Sequence, residues 1–423
     1  MKIKPFKGLR PIPERVQDVA CRPYDVLNSE EAKEEASGNP FSFLNVVKPE
    51  ITLAKDIDHY DPKVYEAARD NFNRLVDDST FIQDKSDCLY IYELEMNGRS
   101  QTGIVACASV EDYMTGKIKK HELTRPDKEN DRKNHVRVSM MNAEPVFFAY
   151  KAVPALDSLA DQVKTAVPTY SFQANDGVKH RFWVIDNNRI INDIIDQFSK
   201  MPATYVADGH HRTAAAALVG LELKAENPNH TVEEEYNYFL AVHFPDNQLE
   251  IIDYNRVVTD LNGHTPASFI DALKSLFYIL EKGEQEYRPT RLHELSMYLE
   301  GTWYSLNSKH GTYDDNDPIK TLDVTVLSEH ILEPVLNIHE LRTDKRIQFV
   351  GGIRGLKELS KRVDSGEMKV AFALHPVSMQ QLIDIADNDL IMPPKVTWFE
   401  PKLRSGLVVH SLETNYPQAG SPL

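Results

Sequence analysis

The segment Ala203-Thr-Tyr-Val-Ala-Asp-Gly-His-His-Arg-Thr-Ala-Ala-Ala-Ala217 constrains this chain more than any other stretch. Thr204-Tyr-Val-Ala207 is apolar and strand-length, while Ala214 to Leu218 is an unbroken run of strong helix formers. Only Asp208-Gly209-His210-His211-Arg212-Thr213 separates them, so a strand must turn through a glycine directly into a helix. Such a turn exposes backbone N–H groups, and the helix dipole adds partial positive charge, which together suit a phosphate or other anion. Gly209, His210 and His211 would offer their N–H groups, Arg212 a bidentate cation and Thr213 a hydroxyl. His210 and His211 bring proton transfer or charge, and Asp208 is placed to hold a metal or a proton. The plainer reading has Asp208 merely capping the helix, but so many functional side chains in one turn favour the anion site.

Length and charge narrow the rest. At 423 residues the chain exceeds one compact core, so two or three lobes are expected. A net charge of −16 opposes phosphodiester backbones and anionic membrane surfaces alike. The expected partner is therefore a small-molecule substrate rather than nucleic acid or membrane, with a homodimer left open. Cys21, Cys88 and Cys107 lie far apart without a C-x-x-C pair, which fits a reducing compartment. The start, Met1-Lys-Ile-Lys-Pro-Phe-Lys-Gly8, lacks the apolar core of a signal peptide. No apolar run approaches the roughly 20 residues of a membrane span. These features predict a cytoplasmic protein.

Local patterns give a coarse map. Ser29-Glu-Glu-Ala-Lys-Glu-Glu-Ala36 reads as a helix capped by Ser29, and Pro62 opens a second helix over 62–77. Cys88–Glu95 and Gln101–Val110 alternate and are joined across Asn97-Gly98, the signature of a hairpin. Strands are expected over 145–150 and 181–185, with a helix near 155–166. Thr265-Pro266 opens a helix and marks the predicted boundary between regions 1–264 and 265–423. Strands and helices without regular βαβ alternation favour an α+β fold.

A second region of interest is His121-Glu-Leu-Thr-Arg-Pro-Asp-Lys-Glu-Asn-Asp-Arg132. A solvated, charged helix is the ordinary explanation of such a run. Yet Pro126 favours extended backbone at Arg125, leaving His121 and Glu122 at a turn or strand end where they would complete the 208–213 site. A zinc centre from His121, His210 and His211 is disfavoured, because adjacent histidines rarely face one metal and no H-E-x-x-H occurs. Phe349-Val-Gly-Gly-Ile-Arg-Gly355 lacks the lysine of a nucleotide P-loop, so turn chemistry explains it better.

Taken in order, Cys21-Arg-Pro-Tyr-Asp-Val26, the His121–Arg132 segment, Ala207-Asp-Gly-His-His-Arg-Thr-Ala-Ala215 and the Met392–Leu407 segment resemble the domain of unknown function 1015 family. The resemblance spans almost the whole chain but implies no activity. Locally, Asp208-Gly-His-His-Arg212 is similar to the Gly-x-x-Arg signature of the ParB/sulfiredoxin superfamily, where such a turn holds nucleotide phosphates. That likeness implies a ParB/sulfiredoxin-like core carrying added mixed α/β elements, followed by a smaller C-terminal α+β lobe. Sulfiredoxin chemistry needs a cysteine where His210 and His211 stand, and the partition proteins bind DNA, which the negative charge opposes. The superfamily's free L-serine kinases remain the nearest functional expectation.

The resemblance thus implies a small-molecule kinase using Mg²⁺ and ATP, ADP or pyrophosphate, with free serine as acceptor. Asp208 would ligate Mg²⁺, and Glu122, or else Asp25, would take the hydroxyl proton. Arg125, Lys128 and Arg132 would bind substrate. Lys395 and Lys402 would close the site from the C-terminal lobe unless, as is more usual for such residues, they belong to a solvated loop. A nucleotide-binding switch or nucleotide hydrolase, and a metal-dependent hydrolase built on the three histidines, are the alternatives.

Overall fold

The computed structural model describes residues 1–413. The chain forms two compact units, Met1–Leu249 with Pro401–Leu423, and Glu250–Glu400. Both mix helices with largely antiparallel sheet, so the fold is α+β. The units divide at 249/250 and 400/401 rather than at the predicted 264/265. The second unit is thus an insertion, and the last segment returns to the first.

The first unit is organised by a nine-stranded sheet. Its strands are β1 (Ile3–Lys4), β2 (Leu89–Met96), β3 (Arg99–Ser109), β4 (Ile118–Lys119), β5 (Val146–Tyr150), β6 (Tyr170–Gln173), β7 (Lys179–Ile185), β8 (Thr204–Asp208) and β9 (Tyr238–Pro245). They run in the order β4-β8-β5-β9-β3-β2-β7-β6, with β1 added against β3. The β2–β3 hairpin turns at Asn97 and Gly98, both at positive φ, as the Asn-Gly pair predicts. Pairs β9–β5 and β8–β4 are parallel, whereas β8–β5 is antiparallel.

The helices of this unit include α1 (Ser29–Ala36), α2 (Pro62–Asp77), α3 (Pro126–Ser139), α4 (Pro154–Lys164), α5 (Asn188–Ser199) and α6 (His210–Glu226). Apolar side chains of α4, α5 and α6 join the core beside the sheet, whereas those of α1 and α2 pack in a separate core with Leu9, Phe43 and Val409. Asn28, not Ser29, caps α1, in a reciprocal capping box with Glu31. The first turn of α2 is set by Pro62 and capped by the Asp61 side chain. Helix α6 buries Thr213 to Ala217 together with Val219 and Gly220, and the small alanines let the helix lie close to its neighbours.

The second unit has a six-stranded sheet. Its strands are β10 (Tyr254–Val258), β11 (Phe277–Gly283), β12 (Glu294–Leu299), β13 (Thr302–Ser308), β14 (Ile347–Gly351) and β15 (Val370–Ala373), in the order β11-β13-β12-β15-β10-β14. Its helices include α7 (Pro266–Leu273), α8 (Asp323–Leu327), α9 (Leu356–Asp364) and α10 (Met379–Asp387). Thr265 caps α7 through a capping box, as its position before Pro266 predicts. Among the described residues no helix is long and apolar enough to cross a membrane.

One contact fixes how deeply α6 sits. A Cβ built on Gly220 would lie 2.4 Å from the backbone oxygen of Tyr236. Gly220→Ala should therefore push α6 off its seat and lower the unfolding free energy by about 1–3 kcal/mol, read by urea titration. An unchanged midpoint would show that α6 has room to move.

Candidate functional site

Strand β8 reaches α6 through two backbone devices. Its register against β5 slips between Val206 and Asp208, a bulge that re-aims the Asp208 side chain at the strand end. Gly209 follows at φ 94°, a left-handed conformation that side chains avoid, and a Cβ there would lie 3.1 Å from Arg212 Nε. Glycine is thus required both by backbone shape and by the approach of Arg212. No side chain caps this N-terminus of the 17-residue helix.

Arg212 is the centre of the cluster. Its side chain is only 10 % exposed, and Nη1 donates to the Pro145 carbonyl at 2.7 Å. Asp25 and Asp208 each approach Nη2 at 3.9 Å. Burial disfavours the guanidinium charge, but Asp25, Glu144 and Asp208 outweigh it and keep the group firmly protonated. The Arg212 Nε is buried and has no hydrogen-bond partner.

Asp208 is held from the returning segment. Lys402 Nζ donates to Asp208 Oδ2 at 2.8 Å. Burial pushes the Asp208 carboxyl up, but Lys402 and Arg212 overcome it and hold the group well below the usual carboxylate range. The same segment supplies Ser405, whose hydroxyl donates to Glu144 Oε1 at 2.8 Å and whose backbone bridges Cys21. Glu144 also accepts the Tyr24 N–H at 3.1 Å. Burial raises the Glu144 carboxyl, with the nearby Arg212 opposing.

Arg132 completes the cluster on another side. It stacks on the Tyr24 ring at 4.2 Å and donates to Asp131 at 3.0 Å. Arg132, Glu144 and Arg212 line one cavity of about 30 Å³, room for a couple of waters.

The histidines are placed differently from one another. His121 and His210 are buried and meet edge to face, ring centres 4.5 Å apart. Burial holds His121 down at about 4 and, with the neighbouring His121, keeps His210 well below the usual imidazole value. His211 Nε2 instead accepts the Arg125 backbone N–H at 3.0 Å. Among the described residues no group of three His, Cys, Asp or Glu side chains could hold a metal ion. That donor geometry does not fit the zinc reading. Magnesium on Asp208 fits poorly too, since the Lys402 ammonium already occupies Oδ2.

The structure therefore joins Asp25, Asp208, Arg132 and Arg212, and gathers His121, His210 and Gly209 around the same turn. It turns three expected groups elsewhere. The Thr213 hydroxyl donates back to the Gly209 carbonyl at 2.9 Å, so it is not available as a donor to an anion. The Arg125 guanidinium pairs with Asp127 at 2.7 Å, and Lys128 lies over the Tyr60 ring. Glu122 is half-buried next to His121, and Asp25 lies 3.9 Å from Arg212, as Asp208 does. Lys395 belongs to the other compact unit.

Lys402, Glu144, Tyr24 and Ser405 complete the cluster. The sequence leaves Lys402 between a solvated loop and a site-closing role, its one signal being membership of the Met392–Leu407 segment. Glu144 and Ser405 gave no local signal.

Comparison with known proteins places the chain in a family. It belongs to the family described as "Protein of unknown function (DUF1015)", which matches residues 3–325. No curated protein matches it. Among solved structures, a free serine kinase in complex with AMP is 12% identical, covering 72% of this chain and 92% of that one, with a TM-score of 0.36. A conserved hypothetical protein from Pyrococcus furiosus is 15% identical over 72% of this chain and 95% of that one, TM-score 0.34. SbnI from Staphylococcus aureus, truncated at its C-terminus, is 11% identical over 74% and 90%, TM-score 0.34. Superpositions this loose carry no information on activity.

The pairs make two predictions. Lys402→Met removes the partner of Asp208 and should cost about 1.5–3 kcal/mol at pH 7. A depressed carboxyl adds stability above its unfolded value and loses it as pH falls through the folded one. The deficit should therefore shrink in strong acid, which urea titrations at pH 7 and pH 2 would check. His121 has the same sign of linkage, because its folded pKa is depressed too. Its unfolded form takes up a proton below about pH 6.5 while the folded form resists until about 4. Stability should fall by about 3 kcal/mol across that window, and His121→Gln should remove this share from the pH profile.

Proposed function

We propose that this protein is a small-molecule kinase, moving a phosphoryl group from a nucleotide or pyrophosphate donor to a hydroxyl, with free L-serine the first acceptor to test. The observation that supports the reading is the desolvated Arg212 at a glycine-opened helix N-terminus, flanked at 3.9 Å by Asp25 and Asp208. Phosphoryl transfer asks mainly for positioning and charge stabilisation, and this arrangement offers both.

The roles divide by atom. The guanidinium of Arg212 and the N–H groups of Gly209, His210 and His211 would hold the donor's terminal phosphate. Lys402 keeps Asp208 ionised and fixed, so Asp208 holds Arg212 in place rather than acting as a base. Asp25, 38 % exposed beside Arg212, would accept the acceptor's hydroxyl proton. As that proton leaves, the hydroxyl oxygen bonds to the terminal phosphorus. The bridging P–O bond then breaks, and its electron pair departs on the leaving phosphate.

Phosphorus NMR with ATP, ADP or pyrophosphate, each with and without L-serine, tests the activity. A phosphomonoester signal requiring both serine and one donor is expected. Donor breakdown independent of serine would replace the kinase with a nucleotide hydrolase. Arg212→Ala should weaken donor binding about 10- to 100-fold. Asp25→Asn should leave that binding in place and slow transfer about 10²- to 10⁴-fold. Normal turnover in Asp25→Asn would remove Asp25 from the mechanism.

A further inference from the structure

The Glu250–Glu400 unit contains a buried charge with nothing to balance it. Arg256 on β10 is 0 % exposed. Its Nη1 donates to the Tyr254 carbonyl, and Nη2 to the carbonyls of Lys395 at 2.9 Å and Pro394 at 3.3 Å. The Phe349 ring lies 5.1 Å from its guanidinium carbon. Every hydrogen-bond partner is a neutral backbone oxygen, and the buried Nε has none. Among the described residues no carboxylate comes within ion-pair distance of Arg256. Burying a guanidinium without a counter-charge is costly, and carbonyl dipoles offset it only in part.

The same cavity presents a second unsatisfied group. Asp323, the first residue of α8, is 3 % exposed. Its Oδ1 accepts the His293 N–H at 2.8 Å, while Oδ2 is buried without a partner. Burial raises this carboxyl to about 7. Half-buried His375 lines the same cavity, and its Nδ1 is also buried and unpartnered. The apolar walls come from residues such as Leu322 and Val377. The cavity lining thus carries a cation and an acid that do not pair with each other, the acid meeting His293 through Oδ1 alone.

We propose that this cavity is a second binding site, taking a small carboxylic acid with an amino or hydroxyl group beside its carboxylate. The carboxylate supplies Arg256 with the missing counter-charge and hydrogen-bond acceptor. The neighbouring amino or hydroxyl group meets Asp323 Oδ2, and His375 closes over the ligand. The enclosed part measures about 10 Å³, the room of one water, so the ligand enters by displacing the half-buried side chains of Tyr254, His375 and Gln381 that line it. A water alone would satisfy single hydrogen bonds but would leave the charge of Arg256 unbalanced.

Isothermal titration calorimetry of the full chain tests this with glycolate, lactate, glycine and L-serine, using acetate and methylamine as controls. At least one of the four acids should bind saturably, and at least tenfold more tightly than either control. Arg256→Gln should weaken that binding at least tenfold. Should this variant not fold, His375→Phe, which alters only a half-buried lining residue, should give the same loss. Arg212→Ala, in the other unit, should leave it intact. Heats that never saturate, affinity unchanged in His375→Phe, or binding abolished by Arg212→Ala would each overturn the proposal.

Discussion

The candidate site rests on one constraint, the guanidinium of Arg212 taken almost wholly out of water. Its position follows from the backbone, because a residue three beyond Gly209 falls in the first turn of α6 and points toward the end of β8. Once there, it must be compensated, and a low-dielectric setting makes even 3.9 Å approaches count. The compensating groups arrive from three distant parts of the chain: Asp25 from the N-terminal loop, Glu144 from before β5, and Asp208 from the strand itself. The segment after Pro401 then serves this arrangement, Lys402 by fixing Asp208 and Ser405 by bonding Glu144.

What the sequence revealed and what it hid divide by distance along the chain. The strand–turn–helix at 204–217, the Asn97-Gly98 hairpin and the helix opened by Pro62 are local, set by propensity and turn chemistry within a few residues. Lys402 lies 194 residues from Asp208, and Ser405 lies 261 from Glu144, so no local pattern announces either pair. The boundary expected at 264/265 rests on the Thr265-Pro266 helix start, a local signal, whereas the compact units divide at 249/250 and 400/401.

Two side chains carry a physical lesson. The Thr213 hydroxyl, inside a first helical turn, finds the carbonyl four residues earlier and turns inward rather than toward an anion. The stretch around His121 is polar on average, yet His121, set at the turn before Pro126, is buried against His210. The charged residues after it form α3, so the run changes character at Pro126 and cannot be judged by its average polarity.

The charge pattern of the cluster bears on how a phosphate would enter. Arg132, Arg212 and Lys402 face Asp25, Asp131, Asp208 and Glu144, so the positive charge is already answered before any ligand arrives. On the proposed reading, an incoming phosphate would take the place of one of those carboxylates beside Arg212. Asp208 is pinned by Lys402 at 2.8 Å and Glu144 by Ser405 and the Tyr24 N–H, whereas Asp25 is the more exposed and sits at 3.9 Å. Asp25 would therefore be the group that yields on that reading. This has a mechanistic consequence: the phosphate that takes Arg212 away from Asp25 also leaves the Asp25 carboxylate oxygens open to the acceptor's hydroxyl. Donor binding would prepare the carboxylate that receives the acceptor's proton, and a carboxylate bound as firmly as Asp208 could not play that part.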